Sequence, residues 1–441
     1  MVTPTPETNH STQSIDVLII GGGPAGSTAG AWLGKNGTQA MICEKEHFPR
    51  FHIGESLLPN GNHILQETGV WEKIQDAGFV KKYGAEFTLP DRSHSVQNNF
   101  SDGLVKGLDT TYQVERSRFD KILLDHAAEC GCEVRQRTVV IKTTHTGKGW
   151  TVVTRNLEND EEKTILARWI IDASGRNCVM GRSLRIEKER IPYPGRFAVF
   201  NHFKGFDRDP GKKGGDIIIL RLQDAWFWAI PISESVTSVG VVAQKGARSE
   251  GKESNKEFFW KKVHQSSFLT NALAQATSVE EYRTESDYCF SYHTFGQNQV
   301  LLAGDAASFI DPVFSSGVYL ALESGLLAAK TIYQNLESGA GSGNAKVYNN
   351  YTRSMKKRIN TIRVLIESFY DNSNFEVFMS PQPGSRSRLK IPEAINSIVA
   401  GCSKPPFFVR WRFWIFRKIC ALHKKHPFLR PINWRSVSQK P

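Results

Sequence analysis

Gly21, Gly23 and Gly26 stand in the spacing G-x-G-x-x-G directly after the apolar run "DVLII", and Glu44 follows eighteen residues beyond Gly26 at the end of the next apolar run. Backbone that must approach a pyrophosphate closely tolerates no side chain. The amides at a helix N-terminus favour the anion, and a carboxylate at the end of the second strand can accept from both ribose hydroxyls. The spacing therefore fits a bound dinucleotide. Two later segments end strands on polar turns: "ARWIIDASGR" on Asp172 and "VLLAGDAASFIDPVFSSG" on Gly304-Asp305, with Pro312 and Gly317 at a helix start. A third feature is apolar. Trp226 and Trp228, in "DAWFWAIPIS", lie two apart in a strand pattern, so both indoles face one side of a sheet and form a wall.

These residues need elements to position them. "SIDVLIIGGGPAGSTAGAWLGKNGTQAMICEKE" reads as a strand over 16–20, a glycine turn, a helix to about Gly34 stopped by Gly37, and a second strand ending at Glu44, a βαβ unit. "SRFDKILLDHAAEC" has helical spacing, and short strands follow near 133–141, 149–155 and 164–172. From about Arg196 to Val242, "FAVFNHF", "DIIILRL", "WFWAIPI" and "SVGVVAQ" read as strands of one antiparallel sheet. After "NQVLLAGDAA" the chain is mainly helical, broken by loops at 337–345 and 380–392.

Bulk composition narrows the function. The chain of 441 residues, 40% hydrophobic and 23% charged, is long enough for two or three domains. It has no apolar leader and no run long enough to span a membrane, which predicts a cytoplasmic protein. Seven scattered cysteines predict reduced thiols rather than a disulfide framework, and no metal is expected. The net charge of +12 is uneven. Residues 401–441 hold ten Lys or Arg and no Asp or Glu, while the other 400 residues sum to only +2, 46 against 44. Basicity confined to a tail argues against nucleic acid as partner.

The full set of motifs resembles the FAD-dependent monooxygenase superfamily with the p-hydroxybenzoate hydroxylase fold. Within it, the finer resemblance is to flavin-dependent halogenases of the phenol and pyrrole type. "FPRFHIGESLLP" (48–59), "GFVKKYGA" (78–85), "WFWAIP" (226–231) and "FIDPVFSSG" (309–317) carry it, and "SFYDNSNF" belongs to it. The resemblance covers about residues 15–375 and implies an α/β fold. Residues 14–180 would be the first part of a Rossmann-type FAD-binding domain with inserted substrate-side strands, and 181–295 an antiparallel-sheet substrate domain. Residues 296–335 would be the last part of the FAD-binding domain, and 336–441 a C-terminal helical subdomain with a basic aromatic tail.

It also implies a chemistry. FAD would be held by Gly21, Gly23, Ala25, Gly26, Glu44, Arg50, Arg116, Asp305, Pro312 and Gly317, with Asp305 on the ribityl chain. Reduced FAD, O₂ and chloride or bromide would yield hypohalous acid through a flavin hydroperoxide. The amides of Ser316 and Gly317 would bind the halide, and Trp226 and Trp228 would keep the aromatic substrate off the flavin. Lys82, the second of Lys81-Lys82, would hold the electrophilic halogen against an electron-rich ring, a phenol or pyrrole, free or on an acidic carrier protein. A lysine desolvated in such a tunnel has the lowered pKa that a haloamine route needs. No second G-x-G-x-x-G is present, so a separate flavin reductase would supply reduced FAD.

Two alternatives use the same scaffold for other ends: an aromatic hydroxylase or isoprenoid-chain reductase, and a flavin-bound binding or regulatory protein. Halide-dependent product separates the first from a halogenase, and a rapid reaction of the reduced flavin with O₂ excludes the second. In the tail, Phe408, Trp411, Ile415, Ile419 and Leu422 have helical spacing, with Arg410, Arg417 and Lys424 recurring on another face. Such a helix fits an acidic partner, peripheral contact with a membrane, or the domain's own core.

Overall fold

In a computed structural model of the chain, which describes residues 12–189, 195–248, 253–286, 289–338, 344–380 and 388–434, the apolar run Thr12–Ile20 becomes the centre of a parallel sheet. Glu162–Asp172 pairs with it in parallel on one side and Ala40–Cys43 on the other; Val300–Leu302 and Glu133–Arg135 extend the two flanks, also in parallel. Strands covered on both faces read as continuous apolar runs, as "DVLII" and "AMIC" do. A hairpin, Thr138–His145 and Trp150–Asn156, joins antiparallel to the first half of Glu162–Asp172. The helix Pro24–Lys35 leaves the central strand through the glycine turn, ends at Asn36, and packs against the long helix Gly317–Glu337.

The second sheet holds the middle of the chain. Arg196–Lys204, Val236–Gln244, Ala225–Pro231 and Ile217–Arg221 follow one another antiparallel, as their alternation predicts. Two further strands extend this sheet. The sheet is mixed, because Ile217–Arg221 pairs in parallel with Gly84–Thr88, which in turn pairs antiparallel with Ser95–Asn99. Two strands from the first hundred residues thus complete a sheet whose other members lie beyond residue 195. No local pattern signals a pairing between segments 132 residues apart, such as Gly84 and Asp216. Its two faces are both covered: Trp226, Trp228, Phe200 and Val242 belong to the main core, where Trp226 meets Phe369 of the helix Ala345–Tyr370, while Phe203, Phe227, Val239 and Val241 pack on the helix Asn255–Val263.

The helices Ala345–Tyr370, Asn372–Met379, Ile391–Val399 and Phe407–Lys425 complete the chain. Of the expected loops at 337–345 and 380–392, residues 339–343 and 381–387 lie outside the described residues, as do residues 1–11 of the polar N-terminus. The tail is helical as expected, but its packed face is turned. Val409, Phe413, Phe416, Cys420 and His423 are buried; of the stripe read from sequence, Phe408 and Leu422 are exposed and Trp411, Ile415 and Ile419 only half-buried. All seven cysteines are unpaired thiols, and among the described residues no helix is long and apolar enough to cross a membrane.

Candidate functional site

The glycine turn is shaped by close approach. Gly21 has φ +101°, a conformation side-chain-bearing residues avoid, and a Cβ there would lie 2.5 Å from the carbonyl oxygen of Ala173. A Cβ on Gly26 would meet the carbonyl oxygen of Gly21 at 1.9 Å, so the turn and the first helical turn touch backbone to backbone. Ala25 packs in the same turn against Gly304 and Gly325, which seats the long helix on the first one. Glu44, only 5% exposed, accepts from the amide of Gly22 at 2.7 Å and from that of Glu46 at 2.8 Å. Its carboxylate is therefore fixed beside the turn, with lone pairs left over for hydroxyl donors.

Arg50 lies over this turn, its Nη2 3.6 Å from where a Cβ on Gly23 would be, and it pairs with Glu46 at 3.0 Å and Asp120 at 3.3 Å. Arg116 opens the helix Arg116–Glu129 and is buried. Its Nε and Nη2 fork onto Asp120 at 2.8 and 2.9 Å, and Nη1 donates to the carbonyl oxygens of Ile53 and Gly54 at 2.7 and 3.3 Å. Its hydrogen bonds hold the segment that leads to Ser56. Asp305 follows Gly304, whose amide donates to Ser324 Oγ at 2.7 Å. Loss of water pushes the Asp305 carboxyl up to about 6, while Arg116 and Arg176 pull it back. Among the described residues its carboxylate accepts no hydrogen bond, so it is a desolvated acceptor lacking a donor. A ribityl hydroxyl would supply one. The glycine close approach and this acceptor both fit FAD.

Pro312 begins a single tight turn to Phe314, Ser315 takes a left-handed conformation at φ +55°, and Gly317 opens the helix Gly317–Glu337. The side chain of Ser316 is 1% exposed and its Oγ has no hydrogen-bond partner, while a Cβ on Gly317 would meet nothing within 4 Å. First-turn amides of a helix have no partner within it. An open space beside such amides and a buried, unsatisfied hydroxyl suits a small anion.

Lys82 is set by strand alternation. In Val80–Lys82, paired antiparallel with Thr111–Gln113, neighbouring lysines point opposite ways: Lys81 is exposed and Lys82 is 1% exposed. The Lys82 ammonium donates to Ser56 Oγ at 2.8 Å and to the carbonyl oxygen of Leu57 at 2.9 Å, and lies 5.2 Å from the centre of the Phe100 ring. Burial pushes its pKa down to about 7, opposed by the charge of Asp216. Asp216 itself accepts from the amides of Tyr83 and Gly84 at 2.8 and 2.7 Å and from Gln97 at 2.8 Å, and burial raises its carboxyl.

Trp226 and Trp228 lie 5.9 Å apart between ring centres, and Trp228 is also 5.9 Å from Phe200. Room for the Trp228 indole is made by Gly240 on the neighbouring strand, where a Cβ would fall 2.2 Å from the ring. Trp228 donates to Ser238 Oγ at 3.1 Å, whereas Trp226 donates to the hydroxyl of Tyr370 at 2.7 Å. That hydroxyl donates in turn to Asp311 Oδ2 at 2.8 Å. Asp311 also faces Arg196 at 3.4 Å, and its other oxygen accepts from the amide of Val313 at 3.1 Å, inside the turn before Ser316. The sequence reading missed Asp216, Arg196 and the role of Tyr370. For Tyr370 a signal existed in "SFYDNSNF"; for the other two, none did.

Residues 14–361 match the FAD binding domain family. Over 432 residues, 90% of this chain and 95% of the relative, the sequence is 32% identical to the 1H-pyrrole-2-carbonyl-(peptidyl-carrier protein) chlorinase of Pseudomonas fluorescens. Among solved structures, a flavoprotein/dehydrogenase of Cytophaga hutchinsonii aligns with a TM-score of 0.83 at 30% identity, covering 94% of this chain and 99% of that one. The flavin-dependent brominase Bmp2 aligns with a TM-score of 0.81 at 27% identity, covering 94% of this chain and all of the other. The chain is an FAD-dependent enzyme. It belongs to the FAD binding domain family and, within that family, to the flavin-dependent halogenases.

Proposed function

We propose that the chain halogenates an electron-rich ring, a phenol or pyrrole presented on an acidic carrier protein, and that Lys82 is the residue that delivers the halogen. The carrier comes from the chlorinase's name, which states it for that enzyme's own substrate. Bound and reduced, FAD would supply the electrons that let O₂ transfer one oxygen atom to halide, and a separate flavin reductase would regenerate it. Gly21, Gly23 and Gly26 would admit its pyrophosphate, Glu44 and Asp305 would accept from its hydroxyls, and Arg50 and Arg116 would fix the loop beside it. Pro312 and Gly317 would border the flavin, and the amides of Ser316 and Gly317 would hold chloride or bromide. Trp226 and Trp228 would keep the ring away, so that only hypohalous acid passes.

At Lys82 two balanced routes are open. The neutral amine takes halogen from hypohalous acid, releasing water, and passes it to a ring carbon whose proton returns to the nitrogen. Alternatively the ammonium donates to the acid's oxygen, and the C–halogen bond forms as water and the ring proton leave. The observation that carries the reading is a buried lysine whose hydrogen-bond partners, among the described residues, are one hydroxyl and one carbonyl. Lys82→Met should abolish halogenated product while FAD binding and oxidation of reduced flavin continue, and Lys81→Met should leave product intact. Normal product from the Lys82 variant, read by mass spectrometry, refutes the role. Residues 14–180 and 296–335 would form the FAD-binding domain, 181–295 the substrate domain and 336–441 the C-terminal helical subdomain.

A further inference from the structure

Between the helices Ala345–Tyr370 and Phe407–Lys425 runs a groove of about 770 Å³, away from the flavin turn and Lys82. Arg353, Lys356 and Lys357 line it from one helix and Arg410 and Arg417 from the other, and no carboxylate is among its lining residues. Lys356 is paired with Glu189. Arg353, Lys357, Arg410 and Arg417 are exposed and make no ion pair among the described residues. The floor is different in kind: Val364, Phe413 and Pro405 are apolar, and Asn349 and Asn360 offer amides.

The packing of the tail explains this concentration. With Val409, Phe413 and Phe416 turned inward, Arg410 and Arg417, two helical turns apart, fall on one edge of the groove. Arg353 and Lys357 stand at i and i+4 on the opposite wall, a like-charge pair that disfavours the helix carrying it. Four cations line one groove without an ion-pair partner among the described residues, Glu189 being taken by Lys356 and His293, and such a lining is the complement of an acidic surface. The wall they stand on also leads inward. Lys357 and Tyr370 share one helix, thirteen residues or about 20 Å apart, and Tyr370 bonds both Trp226 and Asp311.

We propose that this groove docks the acidic carrier protein. Carrier carboxylates and the phosphodiester of its phosphopantetheine arm pair with Arg353, Lys357, Arg410 and Arg417, and the arm starts across the floor of Val364, Phe413 and Asn360. The proposal rests on the carrier-bound reading of the substrate given above.

The test uses full-length, FAD-loaded protein and a peptidyl-carrier protein bearing pyrrole-2-carboxylate on its arm. Two double reversals, Arg353→Glu with Lys357→Glu and Arg410→Glu with Arg417→Glu, should each raise the KM for the loaded carrier on the order of tenfold. The kcat at saturating carrier and the oxidation of reduced flavin should not change. The wild-type KM should rise steeply with salt and that of the variants much less. Lys142→Glu, on the outer hairpin, is the control. Should a reversal lower flavin loading, the glutamine versions replace it, with the same direction expected at smaller size. An unchanged KM in both double variants overturns the docking site while leaving the carrier reading intact. A wild-type protein that ignores the loaded carrier but halogenates a free ring overturns both. Retention of the wild type, and not the variants, on phosphatidylserine vesicles with an unchanged carrier KM assigns the groove to a membrane and also overturns the proposal.

Discussion

Replacing Lys82 with methionine should remove activity and at the same time make the protein more stable near neutral pH. The lysine's pKa falls from 10.5 to about 7 on folding because the ammonium leaves water for a site where, among the described residues, a hydroxyl, a carbonyl, the Phe100 ring and the charge of Asp216 compensate it. Below about pH 7 the group is protonated in both states, and the folded chain carries the full penalty, on the order of 5 kcal/mol. Methionine fills the same volume without that penalty, but leaves the Leu57 carbonyl without its donor, a cost of about 1–3 kcal/mol, while Ser56 can turn its hydroxyl elsewhere. The net gain is about 2–4 kcal/mol. Between about pH 7 and 10.5 the unfolded chain holds a proton that the folded chain has lost, so through this residue wild-type stability rises with pH by up to about 1.4 kcal/mol per pH unit. The methionine variant lacks that rise. Urea unfolding of equally flavin-loaded proteins, near pH 6.5 and again near pH 9.5, reads both effects. A variant less stable than wild type near pH 6.5, or a difference between the two proteins that is the same at both pH values, refutes the buried and easily deprotonated lysine. The same titration bears on mechanism, because turnover that rises through pH 7 marks the neutral amine, and turnover that falls marks the ammonium.

Asp216→Asn keeps an oxygen for the amides of Tyr83 and Gly84 but removes the charge that supports the Lys82 ammonium, so the inflection in the pH–rate profile should move to lower pH; an unmoved inflection refutes the coupling. FAD affinity, followed by quenching of flavin fluorescence, should improve as pH rises through about 6, where Asp305 ionises in the folded protein and becomes the stronger acceptor. Asp305→Asn should flatten that dependence, and a wild-type affinity independent of pH between about 5 and 7 would count against Asp305 as a flavin ligand.

The features legible in the sequence are those set by neighbours in the chain. The turn at Gly21 is forced by glycines between two apolar runs, and Glu44 ends the second of them. Lys82 is singled out from Lys81 by the family resemblance; the alternation in Val80–Lys82 that buries one and exposes the other belongs to a strand that the sequence pattern does not announce. What stayed hidden depends on distant segments. Asp216 reaches Tyr83 and Gly84 only because Ile217–Arg221 pairs in parallel with Gly84–Thr88, and Arg196 meets Asp311 only across the join between the two sheets. The tail failed for another reason. A helix rich in aromatic residues has apolar spacing on adjacent faces, and the sequence cannot say which one finds a partner. Here His423 bonds Glu376 at 2.9 Å and turns Val409, Phe413 and Phe416 inward.

The two tryptophans look alike in sequence and do different work in the structure. Trp228 is held by Gly240, Phe200 and Ser238, all within its own sheet. Trp226 donates to Tyr370, and Tyr370 to the aspartate that caps the turn leading to Ser316 and Gly317, so the wall and the proposed halide loop share one chain of hydrogen bonds. Tyr370→Phe leaves that indole N–H unpaired, costing about 1–3 kcal/mol, and leaves Asp311 Oδ2 only its longer contact with Arg196, which frees the loop to shift. Trp228→Ala opens a cavity at a cost of about 3–5 kcal/mol but leaves the chain to Asp311 intact. Both Trp228→Ala and Trp226→Ala should therefore release more peroxide per flavin oxidised. Only Trp226→Ala and Tyr370→Phe should also raise the halide concentration needed for half-maximal product. Equal halide dependence in all three variants would mean that the hydrogen-bonded chain positions nothing, and that the halide loop is fixed by the packing of Phe314 against Phe87, Phe369 and Phe378 alone.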